Sequence, residues 1–336
     1  MPLITLLFML ILTGCDHRSS EFRFSGKTMG TTYSVVVNQQ SLLGQPVKYQ
    51  ALQDQINTEL IRINRLMSTY DTASQLSQFN AQPVGETFAV HPDLHRVLRT
   101  SQVLSELSGG AFDVTAGALV NLWGFGPEVS FPAVPSPLAV QMARKNVGYQ
   151  ALEVDPGNYL IRKRKALYID LSAIAKGFAV DQLSRLLRAQ GYHDFLVEIG
   201  GELFAAGRAP GNRPWQVGIA LPSTLERAIY TNLPLQNMAM ATSGDYRNYF
   251  EQEGKRYSHT IDPRTGYPID HSLVSVTVLA ESAMLADAWA TAISVLGAGM
   301  GLQLANRQQL AVLAIIKTAS GLKTLRSDKL AAYTAT

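Results

Sequence analysis

The sequence predicts an α+β fold of mostly antiparallel sheets with packed helices. Three observations carry that prediction. Short β-rich segments come in runs with helical stretches between the runs, which argues against a doubly wound βαβ arrangement. The glycines at 207 and 211 fall between predicted strands and open no helix, so the Rossmann fingerprint is missing. Hydrophobic residues make up 46% of the 336 residues and charged residues only 16%. Ordinary soluble domains carry about 25% charged residues, so the apolar surface suffices for a large core.

The elements follow from local pattern. Thr32–Val37 is rich in β-branched residues and reads as a strand. Leu52, Ile56, Leu60, Ile63 and Met67 recur at helical spacing and predict an amphipathic helix ending near Ser68. Pro92 suits a first helical turn, Leu94, Val97, Leu98, Leu104 and Leu107 form its apolar stripe, and Gly109-Gly110 ends it. Prolines at 127, 132, 135 and 137 mark a surface excursion within the domain. The basic run Arg162-Lys163-Arg164-Lys165 reads as a solvated hairpin or strand edge. Leu167–Leu171 is predicted as a short strand, and Ser172–Gln190 as a helix stopped by Gly191. Strands are predicted at Phe195–Ile199, Glu202–Ala206, Trp215–Ala220 and Met238–Thr242. Tyr246–Phe250 and Lys255–Thr260 flank Glu251–Gly254 as a hairpin. Val274–Ala280 is another strand, Ser282 caps a helix running to about Leu296, and Leu310–Ile316 is a late apolar strand.

A net charge of +3 with scattered Lys and Arg provides no basic stripe, which argues against a nucleic-acid partner. The single cysteine excludes an intramolecular disulfide, a zinc ribbon and a CxxC redox centre. Its position is informative. Residues 3–12 form an apolar run too short to span a bilayer but suited to a signal peptide, followed by Leu12-Thr13-Gly14-Cys15. Small residues before a cysteine at that place resemble the bacterial lipobox, although no Lys or Arg precedes the run. The resemblance implies removal of residues 1–14, lipidation of Cys15, a leash over 15–21 and a folded domain over 22–330. Asp16 after the cysteine resembles an inner-membrane retention signal, which places the domain on the periplasmic face. An ordinary signal peptide with an incidental cysteine is the alternative.

Four stretches place polar residues among apolar ones. Gly26–Tyr33 combines glycines with hydroxyls, either a strand entry or a close approach to a ligand phosphate. Asp113 lies between Phe112 and Val114, where an unpartnered carboxylate is costly. It suits an N-cap or a hydrogen bond to a heterocycle edge. Asp170–Gly177 runs from a strand into a helix start, a place that favours anions. Lys176 opposes the helix dipole there unless an anion accompanies it, or it is simply a surface lysine. Asp287 and Thr291 stand at i, i+4 on one helix face, a hard-oxygen pair suited to Mg²⁺, or else a first-turn carboxylate and a back-bonded threonine. His91 and His95 read as structural.

Eight stretches together resemble the ApbE family of lipoproteins, the FAD:protein FMN transferases. They are Thr28-Met29-Gly30-Thr31-Thr32-Tyr33, Met67-Ser68-Thr69-Tyr70, Gly110-Ala111-Phe112-Asp113-Val114-Thr115, Asp170-Leu171-Ser172-Ala173-Ile174-Ala175-Lys176-Gly177, Glu198-Ile199-Gly200-Gly201-Glu202, Ala241-Thr242-Ser243-Gly244-Asp245-Tyr246, His259-Thr260-Ile261-Asp262-Pro263-x-Thr265-Gly266 and Ala286-Asp287-Ala288-x-Ala290-Thr291. The resemblance implies an ApbE-like α+β fold that binds FAD in an extended groove, with Mg²⁺ at the pyrophosphate. It implies transfer of FMN as a phosphodiester to a threonine or serine of an acceptor membrane flavoprotein, with release of AMP. Family acceptors include subunits of the Na⁺-translocating NADH:quinone reductase and the Rnf complex. By position, Met29, Tyr70, Ala111, Phe112, Asp113, Asp170, Lys176 and Ile261 match the flavin and adenine contacts. Ala173, through its carbonyl, Asp287 and Thr291 match the metal ligands, and His259 matches a general base or transition-state stabiliser. Some members carry Glu or another residue in place of Lys176. Rival readings are an FAD pyrophosphatase, an FAD-carrying lipoprotein and a solute-binding lipoprotein.

Overall fold

A computed structural model describes residues 21–38, 48–127, 133–222, 228–244 and 248–335. The predicted signal segment, Cys15 and the leash up to residue 20 lie outside the described residues, as do Asp245 and Tyr246. Glu21, expected in the leash, already belongs to a strand.

β1 (Glu21–Thr28) and β2 (Thr31–Asn38) form a hairpin whose two loop residues, Met29 and Gly30, have φ of 48° and 73°. Two-residue hairpins need that left-handed pair to match strand twist. Next come α1 (Tyr49–Met67), α2 (Gln75–Ala81), β3 (Thr87–Ala89), α3 (Pro92–Leu107), α4 (Gly117–Leu122) and α5 (Pro137–Arg144). The short strands β4 (Leu152–Val154) and β5 (Leu160–Lys163) precede α6 (Ala175–Ala189). Then follow β6 (Phe195–Ile199), β7 (Glu202–Ala206), β8 (Trp215–Ala220), β9 (Ile229–Leu235), β10 (Met238–Gly244), β11 (Tyr249–Gln252), β12 (Lys255–Ser258) and β13 (Leu273–Ala280). The chain closes with α7 (Ala283–Arg307), β14 (Ala311–Thr318), β15 (Gly321–Arg326) and α8 (Asp328–Ala335).

The main sheet has eight strands in the order β1-β2-β6-β7-β10-β13-β14-β15, every neighbouring pair antiparallel. Strand alternation divides its two faces. In β7, Phe204 and Ala206 join the large core under the helices, whereas Leu203 and Ala205 join a smaller core with the β8–β9 hairpin and α8. A third cluster gathers Leu119, Trp123, Val140 and Ile261. The stripes read from the sequence are buried in α1 and, apart from Leu107, in α3. His91 accepts from the Asp93 N–H, and the His95 ring contacts the Asp155 carbonyl, both structural as expected.

Several expectations are corrected. Leu167–Leu171 is not a strand; it contains only an isolated bridge from Tyr168 to Ala116, because the segment turns into α6. That helix begins at Ala175, three residues later than expected. The basic run does lie on a hairpin, β4–β5, with Arg162 and Arg164 exposed, but it is not solvated throughout: β5 is the centre of a three-stranded sheet, and buried Lys163 donates to the Asn80 carbonyl at 2.7 Å. The last long helix is interrupted where the sequence predicts its end: Gly297, directly after Leu296, has non-helical backbone (φ 74°, ψ 173°), and a second helical stretch, not predicted, then runs on to Arg307. The final helix runs beyond residue 330 and buries Leu330.

α7 is the one helix among the described residues long and apolar enough to cross a membrane, yet most of it is buried within the protein. It is fixed by α6. A Cβ on Gly177 would lie 2.2 Å from the Ala283 carbonyl oxygen, so only glycine permits this approach. One turn further on, the Asp181 carboxylate accepts from the Ser282 hydroxyl (2.6 Å) and from the N–H groups of Ala283 (2.8 Å) and Met284 (3.1 Å). These are orphan donors of a helix N-terminus, where a carboxylate also complements the dipole. Asp181→Ala is expected to destabilise the protein by about 1–3 kcal/mol, the cost of leaving such donors unsatisfied; urea unfolding checks this.

Candidate active site

The α6–α7 contact brings two charged side chains from different helices together. At the start of α6 the first intrahelical bond runs from the Phe178 N–H to the Ile174 carbonyl, so the Ala173 carbonyl lies outside the helical ladder. The Gly177 N–H is therefore free to donate to Asp287 Oδ2 on α7, at 3.1 Å. Asp287 is buried, and burial pushes its carboxyl above the usual range, while the Lys176 ammonium and the Gly177 N–H pull it back. Thr291 stands one helical turn further along α7 and is half-buried.

Lys176 is the centre of the cluster. Its ammonium donates to the Ser172 carbonyl at 3.0 Å and lies 3.6 Å from Glu202 Oε1. Burial disfavours the charge, but Asp287, Glu202 and Asp170 outweigh it and hold the lysine above its ordinary range. The anion required by a lysine at a helix start is thus supplied by the protein's own carboxylates. Asp170 accepts from the Ser172 N–H at 2.7 Å and donates its own N–H to Val114, which ties this loop to the Asp113 segment. Its charge also reaches Tyr70, an exposed side chain (72%) whose phenol is raised by partial burial and by Asp170.

His259 follows β12. Its backbone N–H donates to the Asn248 carbonyl, and its ring Nδ1 lies 2.9 Å from the same oxygen. A carbonyl only accepts, so Nδ1 carries the proton in the neutral ring and Nε2 keeps a lone pair. Burial and the Lys176 charge lower the pKa of the ring, and the Asn248 bond opposes them.

The remaining expected residues divide. Met29 sits at the β1–β2 turn and packs partly against the large core. Ala111, Phe112 and Ile261 are 1%, 2% and 6% exposed and belong to the packed interior. Asp113 caps the turn that leads into α4, although the N-cap of α4 itself is Ala116. Oδ1 accepts from the Thr115 N–H (2.8 Å) and hydroxyl (2.7 Å), and Oδ2 from the Tyr149 N–H (3.0 Å). Burial still raises it. A cleft of about 340 Å³ opens beside it, lined by Gly109, Gly110, Gly148, Tyr149 and Arg264 among others.

Glu202 lies within one of the eight stretches that carry the family resemblance, yet the sequence assigns it no role. The available signal was a charged residue opening the apolar strand Leu203–Ala206, a placement that is costly without a partner. Asn248, which sets the tautomer of His259 through a backbone carbonyl, left no signal at all.

Among the described residues no group of three or more His, Cys, Asp or Glu is arranged to hold a metal ion. The donors here are of another kind: one buried carboxylate, a carbonyl outside the helical ladder and a hydroxyl. This hard-oxygen set is compatible with Mg²⁺, which keeps waters and binds few protein carboxylates.

The ApbE family profile matches residues 29–316. A Vibrio cholerae protein named FAD:protein FMN transferase is 42% identical over 326 residues, covering 97% of this chain and 96% of its own. A Haemophilus influenzae protein of the same name is 41% identical over 332 residues, covering 97% and 95%. A solved structure titled flavin transferase ApbE from Vibrio cholerae matches with a TM-score of 0.85 at 40% identity, covering 93% of this chain and 98% of its own.

The His259 environment has a measurable consequence. The imidazole is expected to titrate below the ~6.5 of an unperturbed histidine, as the Nδ1–H tautomer. A ¹⁵N-edited NMR titration, assigned with His259→Gln, checks both; a pKa above that value would refute the reading.

Proposed function

The chain belongs to the ApbE family, and from that premise we propose that it is an FAD:protein FMN transferase assisted by Mg²⁺. In this reaction a threonine or serine hydroxyl of the acceptor forms a bond to the FMN phosphorus. The pyrophosphate bond breaks, and AMP leaves.

The observation that carries this reading is the α6–α7 junction, where the Gly177 N–H donates to the buried Asp287 carboxylate at 3.1 Å next to the paired Lys176 ammonium. Phosphoryl transfer relies on positioning and charge neutralisation. The Lys176 ammonium offsets charge on the pyrophosphate. His259 Nε2, left with its lone pair by the Asn248 carbonyl, accepts the hydroxyl proton. No covalent enzyme nucleophile is needed. The Asp287 carboxylate, the Ala173 carbonyl and the Thr291 hydroxyl are the residues that would hold Mg²⁺. A bound Mg²⁺ supplies charge stabilisation of the leaving AMP. Met29, Tyr70, Ala111, Phe112, Asp113, Asp170 and Ile261 would line the FAD groove.

The acceptor class is a membrane flavoprotein, such as subunits of the Na⁺-translocating NADH:quinone reductase or Rnf type. Lipidation of Cys15 would anchor the enzyme to the inner membrane on the periplasmic face, close to such acceptors. A triacyl chain is a stable anchor at about 0.8 kcal/mol per buried CH₂.

The deciding measurement mixes protein, FAD and a threonine-containing acceptor peptide, followed by mass spectrometry. Covalent FMN on the peptide that disappears with EDTA is the expected result. Free FMN and AMP with an unmodified peptide would make the protein a pyrophosphatase, and unchanged FAD a carrier. Asp287→Ala, verified as folded by circular dichroism, is expected to lower transfer about 100-fold or more, the scale of metal charge stabilisation.

Placement is tested separately. Fractionation of Cys15→Ser is expected to show the protein released from the inner membrane, with a signal-replaced soluble form still active. Wild-type protein in the outer-membrane fraction would overturn the placement.

A further inference from the structure

Glu202 opens β7 on the helix face of the main sheet. It is 5% exposed, and its Oε2 has no hydrogen-bond partner among the described residues. A buried carboxyl oxygen left unpaired is costly to folding, so this residue is not explained by stability. Its other oxygen, Oε1, lies 3.6 Å from the Lys176 ammonium. The turn before β7 is shaped around the pair. A Cβ on Gly200 would stand 2.9 Å from the Thr31 methyl and 3.4 Å from both Glu202 Oε2 and Lys176 Cδ.

Lys176 faces competing partners. Its flexible four-carbon stem lets the ammonium swing, and the buried Asp287 carboxylate, which accepts from the adjoining Gly177 N–H at 3.1 Å, is an alternative counter-charge. Collapse onto Asp287 would block the oxygens that the Gly177 N–H and a ligand require. The Ser172 carbonyl holds the ammonium from one side. Glu202, on a strand and not on either helix, is the group that can hold it from the other.

We propose that Glu202 is a positioning residue, which through Oε1 holds the Lys176 ammonium off Asp287 and at the place where an anionic group of the substrate is bound. The catalytic half of this statement rests on the transferase reading; the holding of Lys176 is a property of the protein alone. Glu202 touches no reacting atom and acts only through the lysine.

Two measurements test it. The first needs no turnover. The unliganded full chain is treated with acetic anhydride, and acetylation of each lysine is followed by peptide mass spectrometry. Glu202→Met is expected to raise the Lys176 rate about tenfold or more relative to the other lysines, because the amine is released from its partner. The second is a double-mutant cycle on transfer. Glu202→Met and Lys176→Met are each expected to lower kcat about tenfold, and the double variant no further than Lys176→Met alone, since contacting residues couple non-additively. Glu202→Gln, close in shape, serves if the Met variant does not fold, with the same non-additivity expected. An unchanged Lys176 acetylation rate, or additive effects on kcat, overturns the proposal. If the wild-type protein transfers no flavin, the transferase reading fails on that result, and the acetylation pattern alone then decides whether Glu202 holds Lys176.

Discussion

The approach of α6 to α7 at Gly177 is the constraint on which the site depends. With a side chain at that position the two helices could not touch, since its first carbon would occupy the space of the Ala283 carbonyl. Because they do touch, the start of α6 faces the side of α7 that carries Asp287, and the Gly177 N–H finds a carboxylate in place of water. Asp181 closes the same junction one turn later by capping α7. One helix–helix contact thus sets the start of α6, where Lys176 stands, beside an aspartate far away in sequence. It leaves the Ala173 carbonyl outside the ladder as a by-product of where α6 begins.

The electrostatics follow from that packing. The cluster is enclosed enough that burial pushes Asp287 and Glu202 upward, yet Lys176 remains charged because both carboxyls surround it. His259 feels the same ammonium, which works with burial to keep its ring neutral. Each group is tuned by its neighbours and not by solvent. An unpaired charge in such a place would be costly, whereas a mutually paired set is tolerated.

The fold was legible in the sequence wherever a periodic stripe met a strong boundary. The α1 stripe from Leu52 to Met67, the Pro92 start of α3 and the strands Phe195–Ile199, Glu202–Ala206 and Trp215–Ala220 all fall where pattern placed them. The failures were of two kinds. Leu167–Leu171 is apolar because it is buried, not because it pairs, and composition does not separate those causes. Lys163 was read as solvated because four basic residues adjoin, but alternation in β5 buries it against Phe79. Within the site, residue types and spacing suggested Asp287, Thr291 and Lys176, and the family resemblance singled out His259. The roles of Glu202 and of the Asn248 carbonyl depend on tertiary contacts that leave no local pattern.

Met29 is a long apolar side chain held at φ 48° in the β1–β2 turn. Left-handed backbone suits glycine or asparagine, and any other residue there carries a strain of order 1–2 kcal/mol. Glu253 and Gln309 share that left-handed backbone, at φ 53° and 52°, so at each of the three a glycine would relieve a comparable strain. The exchange is not equivalent at Met29, whose side chain packs partly against the large core: there the relief in the backbone is set against lost apolar contact.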